Sequence, residues 1–147
     1  MRSHIRLLSL CLVVGLSVAG VAAAQELPST GLGQSWPNAP DVSASPAFHV
    51  FMFERAGTRY VQVNDLNGNV RAAFAYAGGD IMGLPVGVDA NRLVTSSQPL
   101  AQPAAGTLVY RDASVTVTAL PSATGSMGFQ AVIGDCKNPA ECAAHGP

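Results

Sequence analysis

His49 is the single histidine between residues 25 and 134, and it is where acid–base chemistry would have to begin. A nucleophile–base–orienter set needs a Ser, Thr or Cys on one side of the imidazole and a carboxylate on the other. Glu54 and Asp65 are near it in sequence, and Asn64 falls opposite it in the pairing derived below. There is no Gly-x-Ser-x-Gly elbow and no glycine-rich phosphate cradle. The reading that follows is a histidine on a sheet surface. With Tyr60, Gln62 and Asn64 it would form a polar cluster suited to a small ligand.

Two other groups of residues have ligand chemistry. Cys136, Cys142 and His145 offer two thiols and an imidazole. Their spacing fits no closed four-ligand zinc pattern and no haem-attachment pattern. In an oxidising compartment the even pair Cys136 and Cys142 is expected to form a disulfide closing a small loop, and a metal-handling role for this segment is the alternative. Asp65-Leu66-Asn67-Gly68-Asn69 has the outline of a calcium loop. An EF-hand starting at Asp65 would need Gly at position 70 and Glu at position 76, where the chain has Val70 and Tyr76. A hairpin turn explains those residues better, and no cofactor is called for.

The compartment follows from the first 24 residues. Arg2 and Arg6 precede an apolar run from Leu7 to Val21, which closes on Ala22-Ala23-Ala24. A positive start, an apolar centre and a small-residue end read as a secretory signal helix cleaved before Gln25. No Lys or Arg follows until Arg55, so the flanking charge of a retained anchor is missing. The expected location is the periplasm or outside the cell, with no membrane span after cleavage. The remaining 123 residues carry six Lys/Arg and nine Asp/Glu, a net charge of −3. Without a basic stripe the chain is not expected to bind nucleic acid.

Four segments follow: the signal peptide 1–24, a Pro/Gly/Ser-rich lead-in 25–46, a β-rich domain 47–134 and a C-terminal tail 135–147. Pro28, Pro37, Pro40 and Pro46 interrupt the lead-in, so it reads as an arm without packed structure. Trp36 is its one residue able to anchor the arm by docking on the domain, and an exposed binding aromatic is the alternative.

The elements that place His49 come from two turns. Asn67-Gly68 signals a two-residue type I′ hairpin. Pairing outward sets Asp65 against Val70, Val63 against Ala72 and Val61 against Phe74. It also sets Asn64 against Arg71, Gln62 against Ala73 and Tyr60 against Ala75. Ala56-Gly57 can be a second tip, facing Glu54 with Arg59, Met52 with Val61 and Val50 with Val63. Alanine resists positive φ, so a longer loop with a shifted register is the competing possibility. Both turns place Val50, Met52, Val61, Val63, Ala72 and Phe74 on one face. Phe51 and Phe53 make the first strand apolar on its other face too, which predicts a second layer over the Phe51, Phe53 and Tyr60 side.

Short strands continue around Ile81, over 92–95, 107–111 and 114–120, and near Phe129. Val115, Val117 and Ala119 are expected on one face, with Thr116 and Thr118 on the other. Seven or eight short strands predict an all-β antiparallel sandwich or barrel. The leading expectation for function is a non-enzymatic exported domain that binds a protein or small ligand. His49, Phe51, Phe53, Tyr60, Gln62 and Asn64 would form the contact surface if nothing covers them. A catalytic domain centred on His49 is the alternative.

Overall fold

The computed structural model describes residues 29–97 and 105–134. The expected signal segment, most of the 96–106 loop and the tail, with the expected Cys136–Cys142 disulfide and His145, lie outside the described residues. Within them the protein is nearly all β, with one short 3-10 turn at Ala90–Arg92. The eight strands are β1 (Phe48–Arg55), β2 (Thr58–Asp65), β3 (Val70–Ala77), β4 (Asp80–Gly83), β5 (Leu93–Ser96), β6 (Thr107–Arg111), β7 (Val115–Pro121) and β8 (Met127–Ile133). They form two four-stranded sheets, ordered β1-β2-β3-β4 and β5-β8-β7-β6. β5 runs parallel to β8, an arrangement the strand pattern did not reveal.

The first hairpin pairs as expected: Glu54 faces Arg59, Met52 faces Val61, and Val50 faces Val63. Its tip is a two-residue reversal with Ala56 at φ 50° and Gly57 at φ 75°. Both central residues have positive φ, which a type I′ turn requires and which suits the twist of the flanking strands. Alanine at that φ is sterically costly, and the eight-residue ladder on either side holds it there.

The second turn departs from expectation. Among its residues only Gly68 has positive φ, at 81°. The Gly68 amide donates to Asp65 O at 3.0 Å, and the Asp65 amide donates to Asn69 O at 3.0 Å. This is a three-residue loop ending in a left-handed glycine. The Asp65 carboxylate selects it by accepting from the Asn67 and Asn69 amides, each at 3.0 Å, as short acidic side chains do in turns. A bulge absorbs the extra residue. Val63 still faces Ala72, but Asn64 faces Val70 and not Arg71. Beyond the bulge, Gln62 with Ala73, Tyr60 with Ala75 and Val61 with Phe74 pair as expected.

One apolar cluster joins residues of both sheets. Phe48, Val50, Val61, Val63 and Phe74 meet Val109, Val115, Val117, Ala119 and Phe129. The Phe48 and Phe129 rings meet edge to face with centroids 5.9 Å apart. The second sheet therefore contributes to the face that carries Val50 and Val61, and not to the Phe51 and Tyr60 side where a covering layer was expected. Thr116 and Thr118 are buried along with Val115 and Val117, so β7 is covered on both faces.

Candidate functional site

The other face of the first sheet carries His49 and Phe51 from β1, and Tyr60, Gln62 and Asn64 from β2. His49 lies directly opposite Asn64 and Phe51 opposite Gln62. The lead-in is packed across this face. Residues 30–38 form a compact lobe closed by the Thr30 amide donating to Asn38 O at 3.0 Å, with an inner turn from the Gln34 amide to Gly31 O at 2.9 Å. The prolines exclude helix and long strand, and the lobe uses neither.

Gln62 and Asn64 hold the lobe by its main chain. The Gly33 amide donates to Gln62 Oε1 at 2.6 Å, and Gln62 Nε2 donates to Gln34 O at 2.8 Å. Asn64 Nδ2 donates to Ser35 O at 2.7 Å and, at 3.4 Å, to Gly68 O. Gln62 Nε2 also donates to Asn64 Oδ1 at 2.9 Å. Both side chains are fully buried. Every donor and acceptor of the two amides is engaged, as burial of such groups demands.

The lobe then runs into an edge-strap. Asp41 bridges to Phe51, the Val42 amide donates to Val50 O at 2.8 Å, and the Ala44 amide donates to Val109 O at 2.8 Å. Residues 41–44 thus link the free edges of β1 and β6. Asp41 also supplies the carboxylate for His49. His49 Nδ1 donates to Asp41 Oδ2 at 2.7 Å, and Asp41 Oδ1 accepts from the Val50 amide at 2.9 Å and the Ser43 amide at 3.0 Å. Partial burial opposes ionisation of Asp41. The His49 hydrogen bond, the two amides and the His49 charge outweigh it, and the carboxyl sits below its ordinary range. Glu54 and Asp65, the carboxylates that the strand pairing placed near His49, are not the ones that meet it. Asp65 is held below its ordinary range in its own turn, where burial is outweighed by Asn69, the Asn67 amide and Arg71.

Trp36 stands over this arrangement. Its ring meets His49 edge to face at 5.2 Å, and His49 lies nearly parallel to Phe51 at 6.2 Å. A Cβ on Gly68 would lie 2.9 Å from the indole, so the glycine serves both the turn and the close approach of Trp36. The indole is nevertheless 60% exposed, and Leu66 on the same turn is 56% exposed.

The six residues read from the sequence therefore share one face, in two groups. Phe51, Phe53, Gln62 and Asn64 are buried, while His49 and Tyr60 are partly exposed. The solvent-facing aromatic of this region is Trp36, which the sequence reading placed in the arm and not in the site. Proximity of Trp36 to His49 had no local sequence signal, because 13 residues and a chain reversal separate them.

Two charged networks lie elsewhere. Arg59 pairs with Asp112 at 2.6 Å, and the buried Tyr110 hydroxyl donates to Asp112 Oδ2 at 2.7 Å. Burial, with Asp112 beside it, pushes the Tyr110 phenol well above its ordinary range. Buried Asp89 pairs with Arg71 at 2.5 Å and with Arg92, while Arg92 Nε donates to Met127 O at 3.1 Å. Each network ties one sheet to the other. An open depression of about 530 Å³ follows β4, lined by Leu84, Pro85, Val88 and Asn91 among others, and includes none of the six residues. Among the described residues, no group of three or more His, Cys, Asp or Glu could hold a metal ion, and no helix is long and apolar enough to cross a membrane.

Comparison with known proteins returns no family model, no curated protein and no solved structure that matches this chain.

Proposed function

We propose that this chain is an exported, non-enzymatic β-domain, built as a sandwich of its two sheets, that binds a protein partner through the aromatic edge of its N-terminal lobe. The export assignment rests on the leader at 1–24. The observation that carries the binding reading is Trp36. A large aromatic side chain is held by its surroundings on a lobe fastened by buried amides, yet more than half of it faces solvent. Rigid, half-wet aromatics are the residues that anchor protein interfaces. Leu66, on the turn whose Gly68 the indole approaches, is a second exposed apolar side chain.

His49 fits this reading as a support for the indole. The His49 ring contacts include the Asp41 carboxylate, the Trp36 indole and the Phe51 ring, none of which carries a hydroxyl or thiol. The Asp41–His49 pair supplies the base-and-orienter half of an acid–base device, and that geometry is what favours the second reading, a catalytic domain centred on His49.

Pull-down from the exported fraction separates the two. The wild-type chain is expected to retain a partner that Trp36→Ala loses, while Val94→Ala, at an exposed apolar residue of the other sheet, retains it. Equal recovery by all three chains sinks the Trp36 reading.

A further inference from the structure

We propose that the 30–38 lobe is exchangeable between copies of this chain: the lobe of one molecule docks on Gln62 and Asn64 of another, and the exchange is reciprocal. This does not rest on the partner proposed above. It rests on how the lobe is held.

The lobe's hydrogen bonds to the Gln62 and Asn64 side chains all involve main-chain atoms of Gly33, Gln34 and Ser35. The receiving face presents one acceptor and two donors, fully buried and matched to a peptide backbone in one conformation. Gly33 adopts φ 90° there, a conformation most residues resist. A second copy of this chain supplies the one peptide whose fit to this face is on display.

The lobe also holds its own shape. The Thr30–Asn38 and Gln34–Gly31 hydrogen bonds are internal to it, so those two need not be broken when it leaves the face. The tether to the edge-strap is Ala39-Pro40, and Asp41 beyond it is anchored by Val50, Ser43 and His49. Exchange preserves each docking contact, so only association entropy and the tether's geometry oppose it. That is the usual basis of element swapping between identical chains. The three chain steps from Asn38 to Asp41 reach about 11 Å at most. The two receiving faces must therefore lie close together.

Two variants of the full chain test this by complementation. Gly33→Pro removes the donor to Gln62 and forbids positive φ, so its lobe cannot dock. Gln62→Ala spoils the receiving face. In a mixture, the intact lobe of the Gln62→Ala chain can dock on the intact face of the Gly33→Pro chain. Light-scattering mass is read after concentrated samples are warmed below their unfolding temperature and cooled. The expected result is a two-copy species several-fold more abundant in the mixture than in either variant alone, together with a concentration-dependent dimer of the unmodified chain. A mixture that behaves as the average of its components overturns the proposal. Should either variant fail to fold, the unmodified chain decides by itself. A dimer whose Gly33 amide keeps its protection from hydrogen exchange supports exchange. Absence of a dimer, or a dimer in which that protection is lost, overturns it.

Discussion

The two faces of the first sheet are buried by different physics, and β2 shows both within four residues. Val61 and Val63 point into the apolar cluster shared with the second sheet. Gln62 and Asn64, between and beside them, are just as fully buried but point the other way, beneath the lobe. The first pair is inside because leaving water is favourable for hydrocarbon. The second is inside because the lobe's main chain, the Gly68 carbonyl and a bond between the two amides replace the hydrogen bonds that water would have made. Hydrocarbon burial needs volume and tolerates many partners. Amide burial needs specific atoms at specific places, so the polar face depends on one segment in one conformation.

This contrast predicts a graded series of defects. Phe74→Ala, in the apolar cluster, is expected to lower stability by about 3–5 kcal/mol through lost burial and an unfilled cavity. Urea unfolding followed by circular dichroism would show the whole domain melting earlier. A loss below ~1 kcal/mol would mean that this face is not the core. Gln62→Ala is expected to cost less, about 1–3 kcal/mol, because it strands the Gly33 amide and the Gln34 carbonyl. Its signature is local: the lone Trp36 should red-shift in emission and the Gly33 amide should exchange quickly while β2 stays protected. Loss of protection across the sheet at equal denaturant would show that the two faces are one cooperative unit and not two. The smallest effect is on pH dependence. Asp41 has a depressed carboxyl pKa, so its contribution is fully present above the unfolded value of about 3.9 and is lost as pH falls through the lower folded value. Asp41→Asn should lower the neutral plateau and flatten the acid limb, so that the variant and unmodified stability curves converge below pH ~4. An unchanged acid limb would remove Asp41 from the latch.

The turns teach the same distinction on a smaller scale. Asn67-Gly68 carried the stronger type I′ signal, yet the type I′ turn formed at Ala56-Gly57. At Ala56 the ladder on both sides left two residues for the reversal, and register prevailed over residue preference. At Asn67 the Asp65 carboxylate captured two turn amides and drew the loop to three residues. A carboxylate that reads as one end of a ladder can instead organise the turn beside it, and pairing rules that count outward from a dipeptide do not include that option. The resulting bulge frees Arg71 from Asn64, and Arg71 instead pairs with buried Asp89. Nothing local to Asp89-Ala90-Asn91 signals that its carboxylate is enclosed.

The candidate site was legible in its residues and not in its surroundings. Alternation along the first two strands put His49, Phe51, Phe53, Tyr60, Gln62 and Asn64 on one face, because side chains along a strand alternate whatever lies above them. What lies above them is a proline-rich segment with no period of its own, and a segment without a period gives no pattern from which docking can be inferred.

Local chemistry alone determined the all-β composition, the first hairpin's register and the shared apolar face of three strands. These follow from alternation, turn propensity and hydrophobicity, each acting over a few residues. Tertiary structure decided that the second sheet joins the Val50 face, that β5 lies parallel to β8, that Asp41 and not Glu54 meets His49, and that Trp36 remains in water above buried amides. Those outcomes depend on contacts between segments far apart in the chain, where the winning partner is set by geometric fit and hydrogen-bond satisfaction and not by any neighbour in sequence.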